Sequence, residues 1–341
     1  MNAVLFLIAL SSTPQTTQES TLERIEREVS AIIEKTRPSV VQIVARRGDG
    51  QFQPSIGAIA SIQSSGFVVS PDGYILTDLG GVEASREISV TFHDGRKVEA
   101  NLSAFDRATA VALLRVKAAG LTSVEFADAP AIRQGTIAVL VSNPVGLSHS
   151  SAVGFVNGVN RSIAVGGIRY DDMIQTSAAV LSGDCGGLLA NSKGQVVGMI
   201  HSRYVSDGLD SDPAGFLRPV PRGGLDFLPA GGSSVGFATP STTLSFVADR
   251  LMKHGRVVRG WAGIGLRGGV VTEVAKDSPA SKAGIRRGDS LMEFDGLPVT
   301  NLQAIRRKVI ETSAPKLVRV RVWRANAVVD LDLTIEPEPG P

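Results

Sequence analysis

A mainly β protein of two domains is what this sequence predicts, and three observations carry the prediction. The chain has 341 residues, about twice the usual single-domain length. From Val40 to about Thr239, short Val/Ile-rich runs alternate with Gly, Asn and Asp turns, the pattern of antiparallel strands in a barrel or sandwich. Thirty-seven glycines suit a turn-rich architecture, and an aromatic content of only 5% leaves the cores to small aliphatic side chains.

In chain order, the apolar run Ala3 to Leu10 followed by Ser11-Ser12-Thr13-Pro14 resembles a secretory signal, although no Lys or Arg precedes it. It is too short to span a bilayer, and no later stretch reaches the roughly twenty apolar residues that spanning needs. Ser20-Thr21-Leu22-Glu23 is a capping box opening an amphipathic helix, with Leu22, Ile25, Val29, Ile32 and Ile33 on one face and Pro38 ending it. The strand-rich region follows. Within it, a Gly-, Pro-, Ser- and Asp-rich stretch from Ser202 to Ser234 is long enough to be a functional or disordered loop. A helix runs from about Ser241 to His254, capped by Gly255, and links the two domains. Beyond it, Val270–Val274, Leu291–Phe294 and Leu317–Trp323 read as strands, with a helix from Leu302 to Ile310.

Composition narrows the function classes. A formal net charge of +2 offers no electrostatic case for nucleic acid or an anionic membrane surface. The single cysteine, Cys185, excludes an internal disulfide. No His/Cys/Asp cluster has metal-ligand spacing, and the Gly-rich stretches lack a strand-to-helix phosphate motif, so neither a metal nor a cofactor is expected. His93 beside a hairpin turn and His254 at a helix end read as solvated surface, and His149 follows a loop and carries no signal.

Ser182-Gly183-Asp184-Cys185-Gly186-Gly187 reads as the nucleophile loop of a chymotrypsin-like protease with a thiol in place of the hydroxyl. Upstream, Ser65-Gly66-Phe67-Val68-Val69-Ser70-Pro71-Asp72-Gly73-Tyr74-Ile75-Leu76-Thr77 resembles the segment delivering the catalytic histidine in the HtrA (Deg) family. That family continues Thr-Asn-x-His, whereas this chain reads Thr77-Asp78-Leu79-Gly80, so Gly80 stands at the histidine position. Asp106 to Val116 is similar to the strand carrying the orienting aspartate, with Ala110 at that position. Ser142 to Leu147, Ile174 to Ala179 and Gly194 to Met199 match family counterparts in order and spacing, and Gly236 to Pro240 resembles its closing strand. The C-terminal region, including Ser278 to Asp289, resembles a PDZ domain. The resemblance implies a two-lobed chymotrypsin-like double β-barrel over residues 20–240, a linker helix over 241–258 and a PDZ domain over 259–338. A possible signal peptide occupies 1–13, which implies export to the periplasm or another extracytoplasmic space.

Such a protease needs a nucleophile, a base, a carboxylate to orient the base, and amides for the oxyanion. The resemblance leaves Cys185 as nucleophile and the amides of Gly183 and Cys185 as oxyanion hole. Losing a triad costs about a millionfold in turnover. A thiol is less impaired than a hydroxyl without its base, since its pKa near 8.5 leaves a few per cent thiolate at neutral pH, but it supplies no acid for the leaving amine. Gly-x-Cys-Gly-Gly also resembles the picornaviral cysteine proteases, which keep their histidine. In this chain His201, just after the Val196 to Ile200 strand, is the one candidate for a substitute base.

In the PDZ region, Arg259-Gly260-Trp261-Ala262-Gly263-Ile264 matches the family's carboxylate-binding loop, which implies capture of C-terminal peptides by strand addition. Trp261 would line the side-chain pocket opposite Leu302 and Ile305. Only Gly265 to Gly269 separate Ile264 from Val270, so the docking strand is short and pairs with few ligand residues. Three functions follow from the resemblance: a pseudoprotease binding unfolded or C-terminal polypeptides, an endopeptidase using Cys185 with His201, or a scaffold subunit for active relatives. A homotrimer is the oligomer the resemblance implies.

Overall fold

The structure, a computed structural model, describes residues 20–47, 61–144, 150–165, 168–181, 183–205, 234–312 and 315–339. The signal-like run, His149 and most of the 202–234 stretch lie outside these residues.

Two closed six-stranded barrels stand side by side, as the sequence predicts. The first is built from β1 (Val40–Arg47), β2 (Ser61–Ser70), β3 (Tyr74–Asp78), β4 (Ser85–Thr91), β5 (Lys97–Asp106) and β6 (Val111–Val116), in the order β1-β2-β3-β6-β5-β4. The second contains β7 (Ile137–Ser142), β8 (Ser150–Val165), β9 (Ile168–Thr176), β10 (Leu188–Ala190), β11 (Val196–Val205) and β12 (Ser234–Pro240), in the order β10-β11-β12-β9-β8-β7. Alternation sets the two faces of each strand. Val41, Ile43 and Ala45 of β1 point into the first barrel with Val68, Ile75 and Leu114. Val40, Phe67, Leu76 and Leu113 point the other way, into a seam shared with Val139, Val141, Leu188 and Met199 of the second barrel.

Two helices seal that seam. α1 (Thr21–Thr36) begins at the predicted capping box, with Ser20 Oγ accepting from the Glu23 amide and the Glu23 carboxylate accepting from the Ser20 amide. Its predicted apolar face is used only in part. Ile32 is buried and Ile33 packs beside it, whereas Leu22 and Ile25 are 78% and 50% exposed because the first turns run out past the barrel. α3 (Ser241–His254) follows the closing strand and buries Leu244, Val247, Ala248 and Leu251 in the seam, then stops where Gly255 adopts a left-handed conformation.

The C-terminal unit is a seven-stranded sheet. Its strands are β13 (Gly260–Trp261), β14 (Ile264–Arg267), β15 (Val270–Val274), β16 (Ser290–Phe294), β17 (Leu297–Pro298), β18 (Lys316–Arg324) and β19 (Ala327–Pro337). They lie in the order β13-β19-β18-β16-β15-β14, with β17 on β16. α4 (Pro279–Lys282) and α5 (Leu302–Glu311) cover a core of Val271, Phe294, Ile305, Val320 and Leu333. Asp289 is buried in this unit and accepts a guanidinium fork from Arg324, at 2.7 Å to each oxygen, and the Arg286 amide at 2.8 Å. The Arg324 hydrogen bonds hold its carboxyl below the usual aspartate range against the opposing pull of burial. A carboxylate with a lowered folded-state pKa contributes stability above its unfolded value, and that stability is lost as the pH falls through the folded value. We therefore expect the C-terminal unit to weaken below about pH 4. Arg324→Leu should remove about 1.5–3 kcal/mol at neutral pH and flatten that acid dependence, checked by urea titrations at pH 7 and pH 3.

Candidate active site

The cleft between the barrels gathers every residue that the resemblance assigns to catalysis. Ser65 of β2 ties the nucleophile loop to the first barrel. Its amide donates to Cys185 O at 2.9 Å, its hydroxyl donates to Gly183 O at 2.9 Å, and the same oxygen accepts the Asn143 amide at 2.9 Å. The buried Asp184 carboxylate accepts from Ser142 Oγ at 2.7 Å and from the Leu181 amide at 2.6 Å, holding the loop from the other side. Gly183 and Gly186 both have positive φ, 93° and 87°. A Cβ at Gly186 would lie 2.0 Å from Ser65 O, so no other residue fits where the loop crosses β2.

A chain of hydrogen bonds links the three substituted positions to His201. The Leu79 amide donates to Ala110 O at 2.7 Å. Asp78 caps the short helix α2 (Leu79–Val82), its Oδ1 accepting from the Gly80 amide at 3.0 Å. Its Oδ2 lies 2.5 Å from His201 Nδ1, and both side chains are at most 1% exposed. His201 comes from the middle of β11, which continues past the predicted strand end to Val205, and the Tyr170 ring lies 4.4 Å from the imidazole, centroid to centroid. His201 Nε2 is buried and has no hydrogen-bond partner. Cys185 Sγ donates to the carbonyl oxygen of His201 at 3.3 Å, not to its imidazole.

This geometry changes the expectation for His201. The residue does sit against Cys185, but through its backbone, while its buried ring lies against Tyr170 and pairs with the Asp78 carboxylate. With Asp78 ionised, Nδ1 carries the proton and Nε2 is the bare nitrogen. Asp78 is the residue that sequence reading missed. Its signal was an acidic residue at a strand end, directly before a four-residue buried turn, where an N-cap is needed.

In the C-terminal unit, Arg259 differs from its expected role. Its guanidinium forks onto Asp106 of the first barrel, Nη1 to Oδ1 at 2.9 Å and Nη2 to Oδ2 at 2.5 Å, and so joins the two domains instead of facing a ligand. Gly260 and Trp261 pair with β19, and a Cβ at Gly260 would meet Val309 O at 2.1 Å, which fixes the loop against α5. Ala262 O and Gly263 O accept amides from Ala280 and Ala275. Ile264 begins β14, the last strand of the sheet, and only four residues long, as the short connection implies. Leu302 is half-buried, whereas Ile305 is 2% exposed and belongs to the core, so it does not line a groove opposite Trp261. Arg306 and Arg307 of α5 reach Asp171 and Asp172 of β9 at 2.8 and 3.3 Å.

His93 and His254 are exposed, as expected. Among the described residues, no group of three His, Cys, Asp or Glu side chains is placed to hold a metal ion, and no helix is long and apolar enough to cross a membrane.

Comparison with known proteins agrees with this architecture. Residues 64–199 match the trypsin-like peptidase domain and residues 270–324 match the PDZ domain. A probable periplasmic serine endoprotease, DegP-like, from Chlamydia pneumoniae is 30% identical over 298 residues, covering 82% of this chain and 56% of the relative. A protein of the same description from Brucella suis is 32% identical over 297 residues, covering 82% of this chain and 53% of the relative. The chain thus spans about half the length of these curated relatives. In fold it resembles the HtrA-type protease AlgW with tripeptide, with a TM-score of 0.71, 23% identity, and coverage of 92% of this chain and 98% of that one. A serine endoprotease from Yersinia pestis gives a TM-score of 0.61 at 25% identity, covering 91% and 98%.

Proposed function

We propose that this chain, an HtrA-type pairing of a trypsin-like peptidase domain with a PDZ domain, binds unfolded or C-terminal polypeptide outside the cytoplasm without cleaving it efficiently. The observation that carries the reading is the destination of the Cys185 proton. The thiol donates to a backbone carbonyl at 3.3 Å, while the imidazole of the same residue is turned to Asp78 at 2.5 Å. A carbonyl oxygen is no base. The His201 imidazole is therefore not placed to take the thiol proton during attack on a peptide carbonyl, or to return one to the departing amine. Polypeptide recognition has support that does not depend on the triad: the glycine-shaped nucleophile loop and the edge strand β14, whose outer side carries no strand among the described residues. The relatives' names, periplasmic serine endoproteases, support the extracytoplasmic setting.

One observation favours a second reading, an active cysteine endopeptidase. A carboxylate on Nδ1 with Nε2 unpartnered is how a working histidine base is oriented. Incubation with unfolded casein separates the two. The pseudoprotease reading expects casein to bind, by fluorescence anisotropy, with equal affinity to the wild type and to Cys185→Ala, and no fragments to accumulate with either. Fragments that vanish in Cys185→Ala overturn it, and fragments that vanish also in Asp78→Asn establish the endopeptidase.

A further inference from the structure

The linker between the domains carries a cavity with no counterpart in the cleft chemistry. It measures about 420 Å³ and is lined, among the described residues, by Arg250 and His254 of α3 and by Arg256 and Val258 of the linker. Three of its four lining side chains are basic, and none is acidic. No carboxylate among the described residues pairs with these three, and the nearby Asp249 carboxylate is held by Lys253 at 2.6 Å. Arg250 is half-buried, its guanidinium 5.3 Å from the centre of the Phe246 ring, and its Nε is shielded from solvent without a hydrogen-bond partner.

Helix-end electrostatics explains only part of this. A basic residue in a last turn is favoured by the helix dipole, which accounts for the place of His254. It does not account for Arg256, which lies beyond Gly255. Nor does it account for a shielded guanidinium N–H left without a partner. Two guanidinium groups and an imidazole lining one pocket, with one N–H unpartnered, suit an anion with several acceptor oxygens. A single carboxylate satisfies one fork, whereas a phosphoryl group offers three oxygens to three donors from different directions.

We propose that this cavity binds a phosphoryl group, on a free phosphorylated small molecule or a lipid headgroup, and that the bound group ties α3 to the linker leading into the Arg259–Ile264 loop. The site is independent of the peptide-binding reading, since it shares no residue with the cleft or the loop.

Titration calorimetry of the full chain tests it, with inorganic phosphate and glycerol phosphate as soluble probes and sodium chloride at matched ionic strength as the control. Vesicles of phosphatidylglycerol, and of phosphatidylcholine as their uncharged comparison, test the lipid source by flotation. Saturable binding of the soluble phosphates, absent with chloride and at least tenfold weaker in Arg250→Gln/Arg256→Gln, is the expected result and marks a soluble ligand. Flotation with phosphatidylglycerol alone, lost in the same variant, marks a headgroup. Arg256→Gln, at an exposed position outside any helix or strand, serves as the variant with no folding risk and should weaken binding in the same direction. Binding that neither substitution changes, or no binding to any probe, overturns the proposal.

Discussion

His201→Ala should destabilise the two-barrel domain by about 1.5–3 kcal/mol, the cost of losing a buried hydrogen bond to a carboxylate. Asp78 sits on the first barrel and His201 on the second, with neither side chain more than 1% exposed. Without the imidazole, the Asp78 carboxylate keeps the Gly80 amide but loses its contact across the lobes. Deletion of the imidazole also opens a cavity beside Tyr170, adding to the loss. Asp78→Ala/His201→Ala should cost less than the sum of the two single changes, because both single changes remove the same hydrogen bond. The measurement is urea unfolding followed by a probe in the two-barrel domain, since a chain with two domains need not unfold in one step. A loss below about 1 kcal/mol for His201→Ala would mean that the pair is not holding the lobes together.

The same pair marks the boundary of what was legible in the sequence. Strands, caps and helix ends follow local rules of period and turn chemistry, so α3 from Ser241 to His254 and the capping box at Ser20 were readable directly. Motif order carried the two barrels and the C-terminal unit. The meeting of Asp78 with His201 was not readable, because the two lie 123 residues apart and join only when separate barrels close. Arg259 and Asp106, 153 residues apart, are a second case. Local pattern also overstated α1, where an apolar stripe says which face is available for burial, but not that the barrel extends far enough to cover Leu22 and Ile25.

Placing a histidine at position 80 should not by itself restore peptide hydrolysis, since the His201 imidazole already engages Asp78, the carboxylate that caps the turn carrying position 80. Removing that imidazole is the enabling step. We expect Gly80→His/Ala110→Asp to remain inactive on casein, and Gly80→His/Ala110→Asp/His201→Ala to recover at least about a thousandfold of the roughly millionfold that an intact triad supplies. Ala110 favours the change, because its φ of 55° lies in the left-handed region that aspartate tolerates better than alanine. The new aspartate would also stand one hydrogen bond from α2, through Leu79 N to Ala110 O, close to where the new histidine starts. The new imidazole would then be the base that takes the Cys185 proton, and the glycine-shaped loop around Cys185 needs no alteration. The readout is initial rates of fluorescent casein release, with circular dichroism to establish that the triple variant is folded. A folded but inactive triple variant would locate the defect in the nucleophile loop itself, and would shift the explanation for poor cleavage from the missing base to the loop's hydrogen bonds with Ser65.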